Sequence, residues 1–280
     1  MKQIISASRR TDLPAECPDW LAESLRCGQA SFVGPRGGRR TVDLRPAAVH
    51  TLVLWSKDFS RLIADEAGLR TVLGRYDQLY FLVTVTGLGG TAIEPGAPPP
   101  DTVLARLPDL VAIAGRPQRV SLRFDPVVHW SENGRLRDNL DAFPAVADAA
   151  RRSGIEDIRI SFAQWYKKSI LRAKARGFAF IDPPAEVKRA AAIGLSETAA
   201  ARGLTLYSCS QDFLVGVAGI RPSSCIDGRL LAELHPAGER ASTAKDRSQR
   251  AECRCTESVD IGSYARTCRH GCVYCYANPQ

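Results

Sequence analysis

Six short apolar segments alternate with amphipathic stretches along most of this sequence. The segments are rich in Val, Ile, Leu and Phe, and the stretches between them are long enough to hold a helix. A helix that connects two strands returns the chain to the end of the sheet at which the first strand began. Successive strands of this kind therefore run parallel. The sequence therefore predicts an α/β fold with strands at 3–7, 51–55, 79–85, 119–124, 157–162 and 204–208.

The stretches between these segments have helical periodicity. Leu and Val recur three or four residues apart, which places them on one face of a helix. The predicted helices are a first stretch with Trp20, Leu21 and Leu25, then 60–76, 101–114 with Asp101 as its cap, 139–152, 185–202 and 211–217. The Gly/Pro-rich segment 87–100 is predicted to be a lid or substrate loop. After Gly219 the periodicity weakens, so we predict domains at 1–219 and 220–280.

The cysteines are concentrated towards the C-terminus. The chain has nine, and the last three, Cys268, Cys272 and Cys275, have C-x3-C-x2-C spacing. Three thiolates can hold three irons of a [4Fe–4S] cluster and leave the fourth iron open for chemistry, whereas structural metal sites are usually closed. A structural zinc site and a ferredoxin-like cluster are the alternative interpretations.

This motif, with Tyr274 directly before the third cysteine, resembles the radical S-adenosylmethionine (SAM) superfamily. The resemblance implies that the open iron binds the amino and carboxylate groups of SAM, and that one electron cleaves SAM to a 5′-deoxyadenosyl radical. That superfamily carries its cysteines near the N-terminus. The terminal position here, with the opening Ile5-Ser6-Ala7-Ser8-Arg9-Arg10-Thr11-Asp12, resembles a bacterial family of radical-SAM-like proteins.

The resemblance also implies a fold and a site. The fold is a partial (β/α)6 TIM-like barrel whose cysteine-rich C-terminal tail packs over the barrel top. Active sites of βα barrels lie at the C-terminal ends of the strands. Those positions give the predicted catalytic residues Arg9, Arg10, Lys57, Arg123 and Asp125, and the predicted cofactor-binding residues Ser8, Thr84, Ser161 and Gln164. Tyr274 of the terminal motif is also predicted to bind the cofactor, because it can shield the cluster from water.

Charge suggests the roles of these residues. Arg9, Arg10 and Lys57 could hold a carboxylate or phosphate through paired N–H donors. Arg123 could pair with the SAM carboxylate, and Asp125 could accept from ribose hydroxyls. A structural salt bridge is the alternative for each residue. Radical SAM barrels usually have a Gly-Gly-Glu segment after the second strand. This segment is not evident here, so SAM binding would be rearranged or absent.

A second cysteine group precedes the terminal motif. Cys209, Cys225, Cys253 and Cys255 suggest a second [4Fe–4S] cluster, with zinc and unligated thiols as alternatives. His270 lies inside the terminal motif and could donate to a cluster sulfide.

Composition limits the partners. The net charge of +8 attracts anions, but no basic run is interleaved with aromatic residues, so nucleic acid is allowed without being favoured. No apolar run approaches the ~18–20 residues of a membrane span, and no signal peptide is evident. We expect a cytoplasmic protein without a membrane segment.

The favoured function is a radical SAM enzyme acting on a small anionic substrate or a nucleotide. Flavodoxin or ferredoxin would supply the electron, and a second cluster would permit sulfur insertion. The alternatives are a nucleic-acid-binding module stapled by zinc or a cluster, and an electron-transfer iron–sulfur protein.

Overall fold

The computed structural model describes residues 1–34, 37–277 and 279. Its strands are β1 (Gln3–Ala7), β2 (Gln29–Val33), β3 (Arg39–Asp43), β4 (Val49–Ser56), β5 (Leu79–Thr84), β6 (Val120–Val127), β7 (His129–Glu132), β8 (Arg135–Asp138), β9 (Asp157–Phe162), β10 (Phe178–Ile181), β11 (Thr205–Ser208), β12 (Arg221–Pro222) and β13 (Val259–Asp260). Its α-helices are α1 (Leu13–Glu16), α2 (Pro18–Cys27), α3 (Ser60–Ile63), α4 (Leu69–Leu73), α5 (Pro100–Leu104), α6 (Leu107–Ala114), α7 (Phe143–Arg152), α8 (Lys167–Ala175), α9 (Ala185–Ala200) and α10 (Gly228–Glu233). Short 3-10 turns join several of them.

The chain forms two compact units, which we describe separately. The first unit contains Met1–Val83, Pro108–Val120 and Ser224–Cys268. The second contains Thr84–Leu107, Ser121–Ser223 and Arg269–Gln280. The predicted domain boundary at residue 219 stays a prediction.

The first unit is built on parallel strands in the order β13-β1-β4-β5. Ile5 of β1 lies opposite Val259 of β13 on one side and Leu52 of β4 on the other. Leu54 of β4 lies opposite Phe81 of β5. Every residue of β4 is buried, as expected for a parallel strand that is covered on both faces. This explains why the sequence of β4 is almost continuously apolar.

The second unit contains parallel strands in the order β6-β9-β11-β12. Phe124 of β6 lies opposite Ile160 of β9, and Ser208 of β11 also pairs with Ile160. A separate antiparallel sheet has the order β10-β7-β8. The predicted α/β class with parallel strands is thus confirmed.

An apolar cluster in the second unit includes a residue of the terminal cysteine motif. Its buried members are Leu88, Ile93, Val128, Ala173, Phe178 and Val273. Val273 is fully buried and lies between two of the terminal cysteines in sequence. The part of the terminal motif around Val273 is therefore held within the second unit by hydrophobic packing.

Each predicted strand is present, with shifts of up to three residues at its ends. The strand predicted at 157–162 has those same bounds, whereas the one predicted at 119–124 extends to Val127. These strands are buried on both faces, so their apolar runs were unambiguous. The additional strands were not predicted, because they are short and partly exposed; they are β2, β3, β7, β8, β10, β12 and β13.

Three helix predictions were wrong in detail. The helix predicted at 60–76 is broken into α3 and α4, because Asp65, Ala67 and Gly68 have positive φ angles of 56°, 55° and 67°, which a right-handed helix excludes. Asp101 lies within the first turn of α5 and does not cap it. The stretch 211–217 forms only 3-10 turns.

The helix predicted at 101–114 also divides, into α5 and α6. Pro108 is the second residue of α6, and proline is tolerated in a first turn but not in a helix interior. Among the described residues, no helix has both the length and the apolar character needed to cross a membrane.

Asn139 provides a test of the fold of the second unit. Its Oδ1 accepts from the N–H of Val128 (2.8 Å), and its Nδ2 donates to the carbonyls of Thr86 (2.8 Å) and Pro126 (3.2 Å). The side chain is 5% exposed. Replacement Asn139→Ala leaves those backbone groups buried without partners, so the free energy of unfolding should fall by about 2–3 kcal/mol in urea denaturation.

Gln118→Ala is the matched control, because Gln118 is an exposed amide. Its unfolding free energy should stay within about 0.5 kcal/mol of the unmodified chain. Equal effects at the two positions would contradict the role given to Asn139.

Candidate functional site

The loop after β1 is folded around Ser8. Ser8 Oγ accepts from the backbone N–H groups of Arg10 (2.9 Å) and Thr11 (3.3 Å). Gly262 approaches so closely that a Cβ there would lie 1.8 Å from Ser8 Oγ. The hydroxyl predicted to bind a cofactor thus shapes the loop that presents the two arginines.

Asp260 of β13 gathers polar groups from β1 and this loop. Its Oδ2 accepts from Ser6 Oγ (2.8 Å) and from the N–H of Arg9 (2.7 Å), and its Oδ1 lies 3.3 Å from Arg10 Nη1. The Asp260 side chain is only 6% exposed. These donors supply the hydrogen bonds that a buried carboxylate requires, so Asp260 fixes the position of Arg10.

The side chain of Arg10 is held by residues 260–264. Its Nη1 also donates to the carbonyls of Asp260 (3.3 Å) and Gly262 (3.2 Å), and its guanidinium lies 5.8 Å from the centre of the Tyr264 ring. Arg10 was predicted to hold a substrate anion. In the structure its charge is balanced by a carboxylate of the protein.

Arg9 lies close to the second cysteine group. Its Nη1 donates to Ser258 Oγ (3.1 Å), and its guanidinium lies 5.3 Å from the centre of the Trp55 ring. It also hydrogen-bonds the thiol group of Cys255. Arg9 is therefore placed between an aromatic face and a sulfur atom.

Three thiols of the second group converge in the first unit. Cys225, Cys253 and Cys255 are 4%, 8% and 3% exposed. Hydrogen bonds from Cys225 and Cys253 lower the pKa of the Cys255 thiol, and the charge on Arg9 lowers it further, against the opposing effect of burial. This environment favours a thiolate, which is the form that binds metals.

Cys209 belongs to the second unit. It follows β11, is partly buried, and its N–H donates to the carbonyl of Ile160 (2.9 Å). Of the four thiols predicted to share a metal, three are thus together in one unit.

Asp12 and Glu16 add carboxylates to the first unit. Asp12 Oδ2 accepts from the N–H of Lys57 (2.9 Å), and its Oδ1 caps α1 by accepting from Ala15 (3.2 Å). Asp12 thus ties the end of β4, with the predicted residue Lys57, to the loop after β1. A carboxylate oxygen of Glu16 lies within 4.8 Å of Cys268 Sγ, which is close enough for both to bind one metal ion.

The strand ends of the second unit bring four predicted residues together. Arg123 forms an ion pair with Asp125, and its Nη1 donates to Thr84 Oγ1 (3.3 Å). Ser161 Oγ donates to the other oxygen of Asp125. The Arg123 and Asp125 side chains are mostly buried. This connected group could present both a cation and hydroxyl groups to a ligand.

Gln164, which was predicted to bind a cofactor, is exposed. The neighbouring Gln211 has a structural role instead. Its side-chain amide accepts from the N–H of Phe162 (2.7 Å) and donates to the carbonyl of Phe162 (2.9 Å). Gln211 thus fixes the end of β9, directly after Ser161.

The terminal motif is docked on the Gly/Pro-rich loop by backbone hydrogen bonds. Val273 N–H donates to the carbonyl of Ile93 (2.9 Å), and Gly96 N–H donates to the carbonyl of His270 (3.0 Å). A Cβ at Gly96 would lie 1.9 Å from the carbonyl oxygen of Arg269. The loop that was predicted to be a lid or substrate loop thus holds residues 269–273 in place.

Two basic residues of α8 bind the same segment. Arg172 donates to the carbonyls of Val273 (3.1 Å) and Cys275, and Lys168 Nζ donates to the carbonyl of Ala277 (3.0 Å). Burial lowers the pKa of Arg172, whereas negative charge at Cys275 and Cys272 acts to raise it. Arg172 is thus positioned to stabilise thiolates in this segment.

Tyr274 is anchored by a buried carboxylate. Its hydroxyl donates to Glu94, which is 1% exposed and also accepts from Thr86 Oγ1 (2.6 Å). Burial and the charge on Glu94 raise the pKa of Tyr274 well above its usual value. Tyr274 therefore remains a neutral donor and fixes the chain between Cys272 and Cys275.

His270 is buried, and its Nδ1 lies 3.3 Å from the carbonyl oxygen of Gly96. This contact fits a tautomer with the proton on Nδ1. The predicted hydrogen bond from His270 to a cluster sulfide stays a prediction.

Sequence reasoning did not select Asp260, Glu94 or Arg172. Asp260 lies in a strand of two residues, too short for periodicity to reveal. Glu94 lies in a loop without a motif, and Arg172 lies on a helix that was not predicted. No local signal marked these residues, because their partners are distant in sequence.

Comparison with known families identifies the chain. Residues 4–277 match the model of a family described as "Domain of unknown function (DUF1848)". The chain belongs to this family. No curated protein matches it. Among solved structures, this DUF1848 chain is similar to a D-hydantoinase from a Bacillus sp. AR9, with 14% identity and a TM-score of 0.33. The similarity covers 70% of this chain and 38% of that one.

The donor chemistry of the DUF1848 terminal segment fits a metal–sulfur group. Ala277 N–H points to Cys275 Sγ at 3.3 Å, and Cys275 N–H donates to the carbonyl of Cys272 (3.0 Å). Gly271 has a φ of 63°, a conformation that glycine adopts readily. N–H groups directed at sulfur are typical of iron–sulfur ligands.

Gly96 tests whether the loop positions these cysteines. Replacement Gly96→Ala puts a Cβ against the backbone oxygen of Arg269, so residues 269–273 must shift. In the metal-free protein we expect N-ethylmaleimide to label the buried Cys272 at least ~10-fold faster, as read by peptide mass spectrometry, since exposure governs thiol reactivity.

Gly194→Ala is the control, because nothing lies within 4 Å of a Cβ at that helical position. Its labelling rate should match that of the unmodified chain. An unchanged rate in Gly96→Ala would show that the close approach does not hold the terminal segment.

Proposed function

We propose that this chain is a radical SAM enzyme that binds a [4Fe–4S] cluster through Cys268, Cys272 and Cys275. The spacing of these three thiols carries the proposal. Three thiolates leave one iron open, which distinguishes the site from a closed four-thiolate site. Bound there, the cluster would supply the electron that cleaves SAM to methionine and a 5′-deoxyadenosyl radical.

The surroundings of Cys272 and Cys275 support this use of the motif. The backbone around both residues is held by Ile93, Gly96 and Arg172. Cys272 is buried and Cys275 partly buried, so the ligands are shielded from water on the protein side. A rigid, shielded ligand set with nearby positive charge stabilises thiolates.

The second unit also supplies a candidate ligand site. Arg123, Asp125, Ser161 and Thr84 form one connected polar group. Guanidinium groups bind carboxylates and phosphates, and carboxylates bind ribose hydroxyls. We therefore assign the SAM carboxylate and ribose, or an anionic nucleotide-like substrate, to this group.

The proposal includes the finer fold and the remaining partners. The strands would form the partial (β/α)6 barrel, with the tail over its top. A flavodoxin or ferredoxin would donate the electron. Sulfur insertion into the substrate would require a second cluster, and a sulfur-free product would exclude it.

Anaerobic reconstitution tests the proposal. With iron, sulfide, dithionite and SAM, the unmodified chain should form 5′-deoxyadenosine and methionine in equal amounts. The Cys268/Cys272/Cys275→Ala variant should form neither above background, because it lacks the thiolates that bind the cluster. The reduced EPR signal should change with SAM in the first protein only.

Cys27→Ala is the matched control, because Cys27 is exposed and hydrogen-bonds Glu23. It should behave as the unmodified chain does. Equal 5′-deoxyadenosine in the triple variant would contradict the proposal. Zinc without iron would indicate a stapled binding module, and a cluster signal that ignores SAM would indicate an electron-transfer protein.

A further inference from the structure

Two segments of the first unit are joined around the cysteines that the terminal motif does not use. Ser224 Oγ donates to the carbonyl of Arg254 (2.7 Å), and Thr256 N–H donates to the carbonyl of Ile226 (2.9 Å). Gly228 N–H donates to Thr256 Oγ1 (2.9 Å). These bonds join residues 224–228 to 254–256 and place Cys225 beside Cys253 and Cys255.

A third segment closes over this pairing. Asp246 N–H donates to the carbonyl of Cys255 (2.9 Å). A Cβ at Gly228 would lie 1.9 Å from the carbonyl oxygen of Ser242. The backbone near the three thiols is therefore held by a hydrogen bond at Cys255 and by the close approach of Ser242 to Gly228.

Polar donors are directed at the sulfur in the centre of this group. Ile226 N–H points to Cys255 Sγ at 3.4 Å. Cys255 also hydrogen-bonds Cys225, Cys253 and Arg9. Buried cysteines that act only as small apolar residues need no such donors. Donors that converge on one sulfur, beside two more thiols and a cation, are typical of a metal ligand.

We propose that Cys225, Cys253 and Cys255 bind a metal centre as thiolates, and that Arg9 is a positioning residue of this centre. The ligand chemistry selects a thiophilic metal, which is a property shared by iron–sulfide clusters and zinc. The centre is independent of the proposed SAM cleavage, because it uses none of the three terminal cysteines; only the proposed sulfur insertion depends on it.

Arg9 is held in place by groups outside the cysteine cluster. Asp260 accepts from its backbone N–H, Ser258 accepts from its guanidinium, and the Trp55 ring lies beside it. One positive charge is therefore fixed next to the thiolate of Cys255 and near that of Cys225. It offsets their negative charge and donates to Cys255, which raises metal affinity and the reduction potential of an iron centre.

The Cys268/Cys272/Cys275→Ala variant isolates this centre. We expect it to retain one metal centre per chain after anaerobic purification, measured as iron plus acid-labile sulfide or as zinc. X-ray absorption should show metal–sulfur distances of about 2.3 Å. Iron with sulfide identifies a cluster and zinc a mononuclear site, and both outcomes support the proposal.

The three cysteines Cys225, Cys253 and Cys255, called the trio below, are substituted in a second test. In the same background, Cys225/Cys253/Cys255→Ser should lose the metal, whereas Cys17/Cys27→Ser should keep it. A background variant that is folded but contains neither iron nor zinc, or that contains a disulfide within the trio, would overturn the proposal. The X-ray absorption measurement needs no further substitution, so it stands even if the Ser variant fails to fold.

Arg9 is tested in the same background. Arg9→Gln should release the metal to a chelator about 10–100-fold faster, the usual effect of removing a partner of a metal ligand. Arg9→Lys keeps the charge and should recover part of that loss. Arg45→Gln is the control, because Arg45 is an exposed partner of Asp43. Metal release from Arg9→Gln at the unmodified rate would remove Arg9 from the centre.

The outcomes separate the two proposals. Metal in the trio without any SAM cleavage by the unmodified chain would leave this centre standing and remove the radical SAM proposal. SAM cleavage by a chain whose trio holds no metal would do the reverse.

Discussion

The buried carboxylate of Asp260 organises the first unit. It accepts from Ser6 in β1 and from the backbone of Arg9, and it forms an ion pair with Arg10. Charges this well buried stabilise a structure only when they are fully paired, and removing one partner costs on the order of 3–5 kcal/mol. Because Asp260 belongs to β13, this pairing brings the segment just before it, with Cys253 and Cys255, to the loop after β1.

A comparable arrangement holds the end of the chain in the second unit. Glu94 is buried and accepts hydrogen bonds from the hydroxyl groups of Thr86 and Tyr274. Val273 packs in the apolar cluster, and Arg172 binds the carbonyls on either side of Tyr274. Packing excludes water and the hydrogen bonds fix the backbone, so Cys272 and Cys275 are presented in a defined conformation. The conformation of Cys272 and Cys275 thus depends on residues that are distant from them in sequence.

Arg9 and Arg10 were predicted to bind an anionic ligand, and that role stays a prediction. Arg9 and Arg10 were selected because they follow a strand of the sheet, and this position was correct. Their partners are groups of the protein itself, Asp260 and Cys255, which lie about 250 residues further along the chain. In contrast, Arg123, Asp125, Ser161 and Thr84 do meet as the strand-end rule predicts, because parallel strands bring their C-terminal ends to one edge. The rule identifies the edge where polar residues gather, and the contacts decide which of them remain available to a ligand.

The sequence by itself determined the α/β class, the six principal strands and the spacing of the terminal cysteines. Strands that are buried on both faces are visible in the sequence as apolar runs. The spacing of the cysteines is read directly from the order of residues along the chain. The tertiary structure alone decided which cysteines meet, that Arg9 lies among them, and that Asp260 and Glu94 hold the two cysteine-bearing segments. These features depend on contacts between side chains of distant segments, which local periodicity does not predict. The same limit explains the broken helix after β4, where the positive φ angles of Asp65 and Ala67 overrode a helical pattern.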